Sequence, residues 1–191
     1  MRFLCMLFVF LFLMGCETTH ENREPTPVPQ RAQREITSTE IKPRLLGEWQ
    51  TQIINQDEAR VNNITLAVAA IHGITLKPEE AFSFNQTLGE RTEEKGYQKA
   101  DIFVGDKTEK AFGGGICQVS GTLFMAVKQA GLSVTERHAH SRAVAYAAEG
   151  EDACVNYGSM DFCFVNTTQN TIEILAATDG TSVTVQIVES K

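Results

Sequence analysis

Over Glu58–Ile71 the apolar residues Val61, Ile64, Val68 and Ile71 recur at three- and four-residue intervals, with Gly73 just beyond. This spacing predicts an amphipathic helix with a glycine at its C-terminal end. A second stretch, 116–130, carries Val119, Leu123, Val127 and Ala130 on one face. It predicts a helix that starts at Gly113-Gly114-Gly115 and stops before Gly131. Between the two, residues 73–89 place Pro and Gly turn signals around a short apolar piece. From residue 132 onward the period shortens. Segments 132–136, 142–147, 153–157, 161–166, 171–177 and 182–188 are short, β-branched or aromatic, and separated by Gly, Asn and Asp, so each predicts a strand. Two helices followed by a run of strands predict an α+β fold: a single compact domain with the second helix packed on a mostly antiparallel sheet.

The N-terminus has a different pattern. Arg2 precedes an unbroken apolar run over residues 3–14, which ends at Gly15-Cys16. A bilayer span needs about 20 residues, so this run fits the apolar segment of an export signal better than a membrane helix. The ending Leu13-Met14-Gly15-Cys16 resembles a bacterial lipobox, which implies cleavage before Cys16 and lipidation of its thiol. Residues 1–15 are therefore read as a lipoprotein signal peptide. Residues 16–43, with Pro25, Pro27 and Pro29, read as a polar linker, and 44–191 as the folded domain. The expected location is outside the cytoplasm, anchored to the bacterial membrane through the lipid. His20 falls in the linker, and His72 at a helix end; both read as residues without catalytic work.

Charge narrows the partners. The 191-residue chain carries a formal −7, with 21% charged and 42% hydrophobic residues and no basic stripe. Nucleic acid is excluded as a partner, because phosphate neutralisation supplies most of that affinity. Once Cys5 leaves with the leader and Cys16 takes lipid, three cysteines remain. An exported protein with an odd count suggests one pair and one free thiol. Cys154 and Cys163 are the expected disulfide, and Cys117 the free thiol.

Cys117 sits where three glycines meet a helix start. The aligned peptide dipoles and free N–H groups of a first turn favour a thiolate and can hold an oxyanion. Gly114, Gly115 and the Gln118 N–H are the candidate oxyanion groups. A buried, inert cysteine at a tight turn is the plainer alternative. His138 and His140 would share a face on a strand, and one of them can serve as base, with Asp152 or Asp161 orienting it. The same His-x-His pair would make a metal site if Cys117, Asp152 or Asp161 supplied a third ligand. No metal and no cofactor is assigned.

The segments "FSFNQTLGERTEEKGYQKADIFV", "GGGICQVSGTLFMA", "ERHAHS" and "GEDACVNYGSMDFCFVN" together resemble the VanW family over roughly residues 60–176. Members are bacterial envelope proteins, and some are regarded as L,D-transpeptidases that join peptidoglycan stem peptides. The resemblance implies Cys117 as nucleophile, His140 as base with His138 beside it, and Asp152 as the motif aspartate. Arg137 would hold a stem carboxylate or form a structural ion pair; Ser141 and Tyr146 complete the substrate-binding set. Three departures stand out: Pro78-Glu79-Glu80 replaces Pro-Gly-Glu, Cys154 stands where threonine or a similar residue is usual, and Gly121 where serine is common. The expected activity is a cysteine acyltransferase on wall peptides, forming a thioester on Cys117 and 3–3 cross-links. A papain-like amidase or a non-catalytic envelope-binding module is the alternative. The oligomeric state is not set by the sequence.

Overall fold

The computed structural model describes residues 43–105 and 107–189. The leader, the lipidation site Cys16 and all of the linker but residue 43 lie outside the described residues. What is described is one α+β domain.

Strand β1 (Arg44–Gln52) leads to helix α1 (Glu58–Ile71), capped by Asp57, whose carboxylate accepts from the Arg60 N–H. Short strands β2 (Ile74–Leu76) and β3 (Ala81–Ser83) follow, then helix α2 (Phe84–Leu88) and a 3₁₀ turn at Glu93–Lys95. Next come β4 (Lys99–Val104), β5 (Lys107–Phe112) and helix α3 (Ile116–Gln129). The chain ends with β6 (Ser133–Glu136), β7 (Cys163–Val165), β8 (Ile172–Thr178) and β9 (Ser182–Glu189).

The strands form three antiparallel sheets, ordered β1-β9-β8-β2, β3-β7-β6 and β4-β5. In β8 and β9 the two-residue period turns Ile172, Ile174 and Ala176, and Val183, Val185 and Ile187, to one buried face. Helix α1 packs on β8, while α3 packs on β1, β9 and α1 and also reaches β6. Phe124 of α3 meets Phe162 edge-on, with ring centroids 5.8 Å apart. Residues 118–127 of α3 are all buried. Its buried polar residues Gln118, Ser120 and Thr122 are all hydrogen-bonded, and α3 is the central element that carries the cysteine.

Both expected helices form, and His72 does structural work: its Nδ1 accepts the Ala176 N–H at 3.1 Å, joining α1 to β8. Two expected strands do not form. Residues 142–147 are bends and turns, and 153–157 make only isolated bridges, His138 with Cys154 and Asn156 with Met160. The alternation at 142–147 serves another purpose, since Tyr146 turns inward toward Gly121 of α3. Among the described residues no helix is long and apolar enough to cross a membrane.

Candidate active site

Cys117 is the second residue of α3, and the glycines before it are sterically required. A Cβ on Gly114 would meet the Ala100 carbonyl oxygen at 2.6 Å. Gly115, the helix N-cap, has φ 106°, and a Cβ there would meet Arg60 Cγ at 2.9 Å. The glycines thus bring the helix start tight against β4 and α1. The Gln118 N–H is bonded to the Gly115 carbonyl at 3.0 Å, so it is not an available oxyanion donor. The Gln118 side chain is a tie instead, donating to Thr51 and Gln52 of β1 and accepting from Arg60. The Cys117 N–H, like that of Gly115, has no carbonyl partner among the described residues, so these two N–H groups of the turn are free to meet a developing oxyanion.

The half-buried Cys117 thiol, the His140 ring and the Cys154 thiol bring one donor atom each to within 4.8 Å of one another. His140 Nδ1 lies 2.6 Å from Asp152 Oδ2, and the His140 N–H donates to the same oxygen at 2.7 Å. Nε2 is thereby left for the thiol. Asp152 is in turn held by Arg137, whose Nη2 donates to Oδ1 at 2.8 Å and whose Nε donates to the Asp152 carbonyl at 2.7 Å. The Arg137 guanidinium stacks on Phe124, 5.1 Å from the ring centroid.

These contacts set the charges. Cys117 is held well below the ordinary thiol range, first by a hydrogen bond from Cys154, then by His140 and the Val155 N–H, against the opposing pull of burial. Burial pulls the His140 imidazolium down, but Cys117 and Asp152 together outweigh it and raise it. Burial likewise pushes Asp152 up, and the two bonds from His140 reverse that, so it stays below its ordinary value. The result is a thiolate–imidazolium pair oriented by a carboxylate, the arrangement that thiol nucleophiles need.

Several expected positions are corrected. His138 does not join the cleft: its Nε2 is 2.9 Å from Glu136 Oε1, because only a single bridge forms at His138 and the strand alternation needed to align it with His140 never develops. Of the two readings of Arg137, the structure shows the ion pair, made with Asp152. Gly114 faces Asn63 and Ala100 rather than a ligand. Ser141 is exposed and off the cleft. Asp161 accepts from Ser83 and from the Asn85 and Phe162 N–H groups, fixing the start of α2. The Cys154–Cys163 disulfide is absent: all three thiols are free. Cys154 is fixed by its bridge to His138 and turned to Cys117, whereas Cys163 lies in β7 facing Glu136, its thiol pushed up to about 12 by burial and by the Asp161 and Glu136 charges.

Tyr146 keeps its place beside the nucleophile, with its ring edge-on to His140. The cleft around these groups has a volume of about 790 Å³. Its other wall comes from the β4–β5 hairpin through Ile102, Phe103 and Thr108, and its rim carries the exposed Ile54 and Tyr157. Arg60 and Arg91 line it, and no carboxylate of the described residues lies within 4.0 Å of either guanidinium. Arg91 bonds Asn85 and the Gly89 carbonyl. Among the described residues the Arg60 guanidinium bonds only Gln118, and its Nε, like that of Arg91 and the Tyr146 hydroxyl, is buried without a partner. The sequence did offer a signal for Arg60, because it continues the Ile64–Val68 stripe that the helix turns inward.

Against known families, the profile of the VanW-like proteins matches residues 59–188, two thirds of the chain. The chain belongs to the VanW family. It is 41% identical over 150 residues to the Bacillus subtilis (strain 168) "Uncharacterized protein YoaR", covering 78% of this chain and 50% of that protein. To the "Vancomycin B-type resistance protein VanW" of Enterococcus faecalis (strain ATCC 700802 / V583) it is 27% identical over 139 residues, 70% of this chain and 50% of the relative. The chain thus spans about half the length of these VanW relatives. No solved structure matches.

Proposed function

We propose that this VanW domain is a cell-envelope cysteine acyltransferase of the L,D-transpeptidase type, acting on peptidoglycan stem peptides. The observation that carries the reading is the line Cys117–His140–Asp152 opening into a cleft that also holds an uncompensated guanidinium. The Cys117 thiolate attacks the carbonyl before the terminal D-alanine, and the Cys117 N–H receives the developing oxyanion. His140, as imidazolium, gives its proton to the leaving amine, and D-alanine departs. The acceptor amine then attacks the thioester while His140 takes its proton, and the thiolate returns. Arg60 binds the terminal carboxylate of the donor stem, a role that the resemblance offered for Arg137 beside a structural ion pair. The leader and lipobox support export and lipid anchoring at Cys16, which would bring the domain to the wall.

The test is mass spectrometry of disaccharide-tetrapeptide incubated with the wild type and with Cys117→Ala. Loss of D-alanine with a 3–3 linked dimer, absent in the variant, is the expected result. Cleavage without dimer would replace the transferase with a hydrolase. An unchanged peptide with folded wild type would remove wall-peptide chemistry from the cleft.

A further inference from the structure

We propose that Cys117, Cys154 and His140 form a binding site for one zinc ion, and that zinc bound there switches the nucleophile off. The inference stands apart from the wall-peptide reading, since it concerns only what these three side chains hold.

The His-x-His pair cannot supply such a site, because His138 is turned to Glu136. Cys154 takes its place. The two sulfurs and the imidazole nitrogen lie within 4.8 Å of one another and come from three separate segments. Tetrahedral zinc, with Zn–S near 2.3 Å and Zn–N near 2.0–2.1 Å, needs ligand-to-ligand edges of roughly 3.5 Å, so no pair of donors has to close by more than about 1.3 Å. The outer shell is already built. Asp152 Oδ2 on Nδ1 fixes the imidazole with Nε2 outward, the carboxylate–histidine–metal arrangement that orients and strengthens a histidine ligand. Cys154 is fixed through its N–H bond to the His138 carbonyl at 2.7 Å. Two thiolates and an imidazole select a soft divalent ion over magnesium or calcium, and two thiolates neutralise its charge. On binding, Cys154 and the His140 imidazolium each release a proton to solvent, and the ion takes a lone pair from each sulfur and from Nε2. The fourth position faces the cleft. Nucleophile and base are then both coordinated, and neither can act. Serine or threonine at position 154 would leave a thiol and an imidazole, too few for this site.

The test is a cobalt titration of the full chain under a phosphine reductant, with Cys5→Ser and Cys16→Ser so that neither thiol takes metal. One equivalent should produce thiolate-to-cobalt absorption and tetrahedral visible bands, and zinc should displace them. Cys163→Ser should leave both unchanged, whereas Cys154→Ala and His140→Ala, checked for folding by circular dichroism, should lose them. A measurement that needs no site variant runs alongside: one equivalent of zinc should protect Cys117 from iodoacetamide, and a chelator should restore the reaction. Absence of the one-equivalent cobalt spectrum, its survival in Cys154→Ala, or alkylation of Cys117 at full rate in saturating zinc would each overturn the proposal. Cobalt binding in a protein that transfers no acyl group would leave it standing while removing the enzyme reading.

Discussion

Asp152→Asn tests the site most sharply, because it preserves shape and removes one charge. Asp152 is 8% exposed at the side chain and receives three N–H···O bonds on its carboxylate, two from His140 and one from Arg137. An amide must point its NH₂ at one of those donors. Removing one partner from a buried ion pair costs about 3–5 kcal/mol. At about 2–4 °C per kcal/mol for a domain of this size, Tm should fall by about 10 °C. The chemistry should change as well. Asp152 helps raise the His140 imidazolium, and the imidazolium helps hold Cys117 as thiolate. The thiolate–imidazolium pair exists between the depressed Cys117 value and the raised His140 value. Losing Asp152 lowers the His140 limit, so the window narrows from its alkaline side. Iodoacetamide alkylation of Cys117, followed by mass spectrometry across pH, reads this without knowledge of the substrate. The step at which His140 gives up its proton should move to lower pH, and acyl transfer should fall about 10²–10⁴-fold. An unchanged alkylation profile together with an unchanged Tm would refute the carboxylate's role on both counts.

Two glycines on either side of the nucleophile should respond in opposite directions. Gly115→Ala forces a side chain to φ 106° against Arg60 and should cost about 1–3 kcal/mol. Gly121→Ala adds a Cβ in ordinary contact, its nearest atom the Ala153 nitrogen at 3.4 Å, and should gain about 0.5–1 kcal/mol; thermal denaturation of both separates steric need from helix propensity. Arg60→Gln should raise KM for a peptide acid about 10–100-fold through loss of a charge-assisted bond, with kcat nearly kept. The corresponding peptide amide should show no such change, and equal effects on both peptides would rule out carboxylate recognition. Asp179, lowered to about 2 by hydrogen bonds from Thr181 and Ser182, stabilises the β8–β9 turn above its ordinary value near 3.9 and loses that effect as pH falls toward 2. The Tm gap between wild type and Asp179→Ala should therefore be full at pH 6 and vanish near pH 2, whereas a constant gap would mean that the charge is irrelevant.

How far the sequence could be read depended on which physical constraint shaped each segment. Helices α1 and α3 were legible because a core on one side imposes the 3.6-residue period. Strands β8 and β9 were legible because one buried face imposes alternation. The β4–β5 hairpin imposes neither: Lys107–Lys110 are all exposed, and nothing in their polarity marks a strand. Residues 142–147 alternate without pairing, because what they satisfy is the packing of Tyr146 on α3 rather than a ladder. At the site, Cys117 stood out because its chemistry wants a thiol at a helix start, whereas His140 over His138 and Asp152 over Asp161 came only from the resemblance to the VanW family. Which arginine, Arg137 or Arg60, pairs with Asp152 was not legible. Both are arginines, and only the tertiary position of Asp152 decides which of them is neutralised and which faces the cleft. The disulfide failed for the same reason, since counting cysteines says nothing about which way each thiol points.

The hairpin has a consequence for how this domain can vary. β4 and β5 pair only with each other, and they face α3 across the cleft. Cys117 and His140 sit on the central helix and the loop behind it, whereas the ribbon, anchored to the helix start at Ala100 and Ala111, supplies the facing wall with its outer half. Residues such as Phe103 and Thr108 can be exchanged without re-registering any larger sheet or disturbing the thiolate. Selection can therefore reshape what enters the cleft at little cost to what happens there, and transplanting this one ribbon between relatives is the smallest graft that would carry a preference with it.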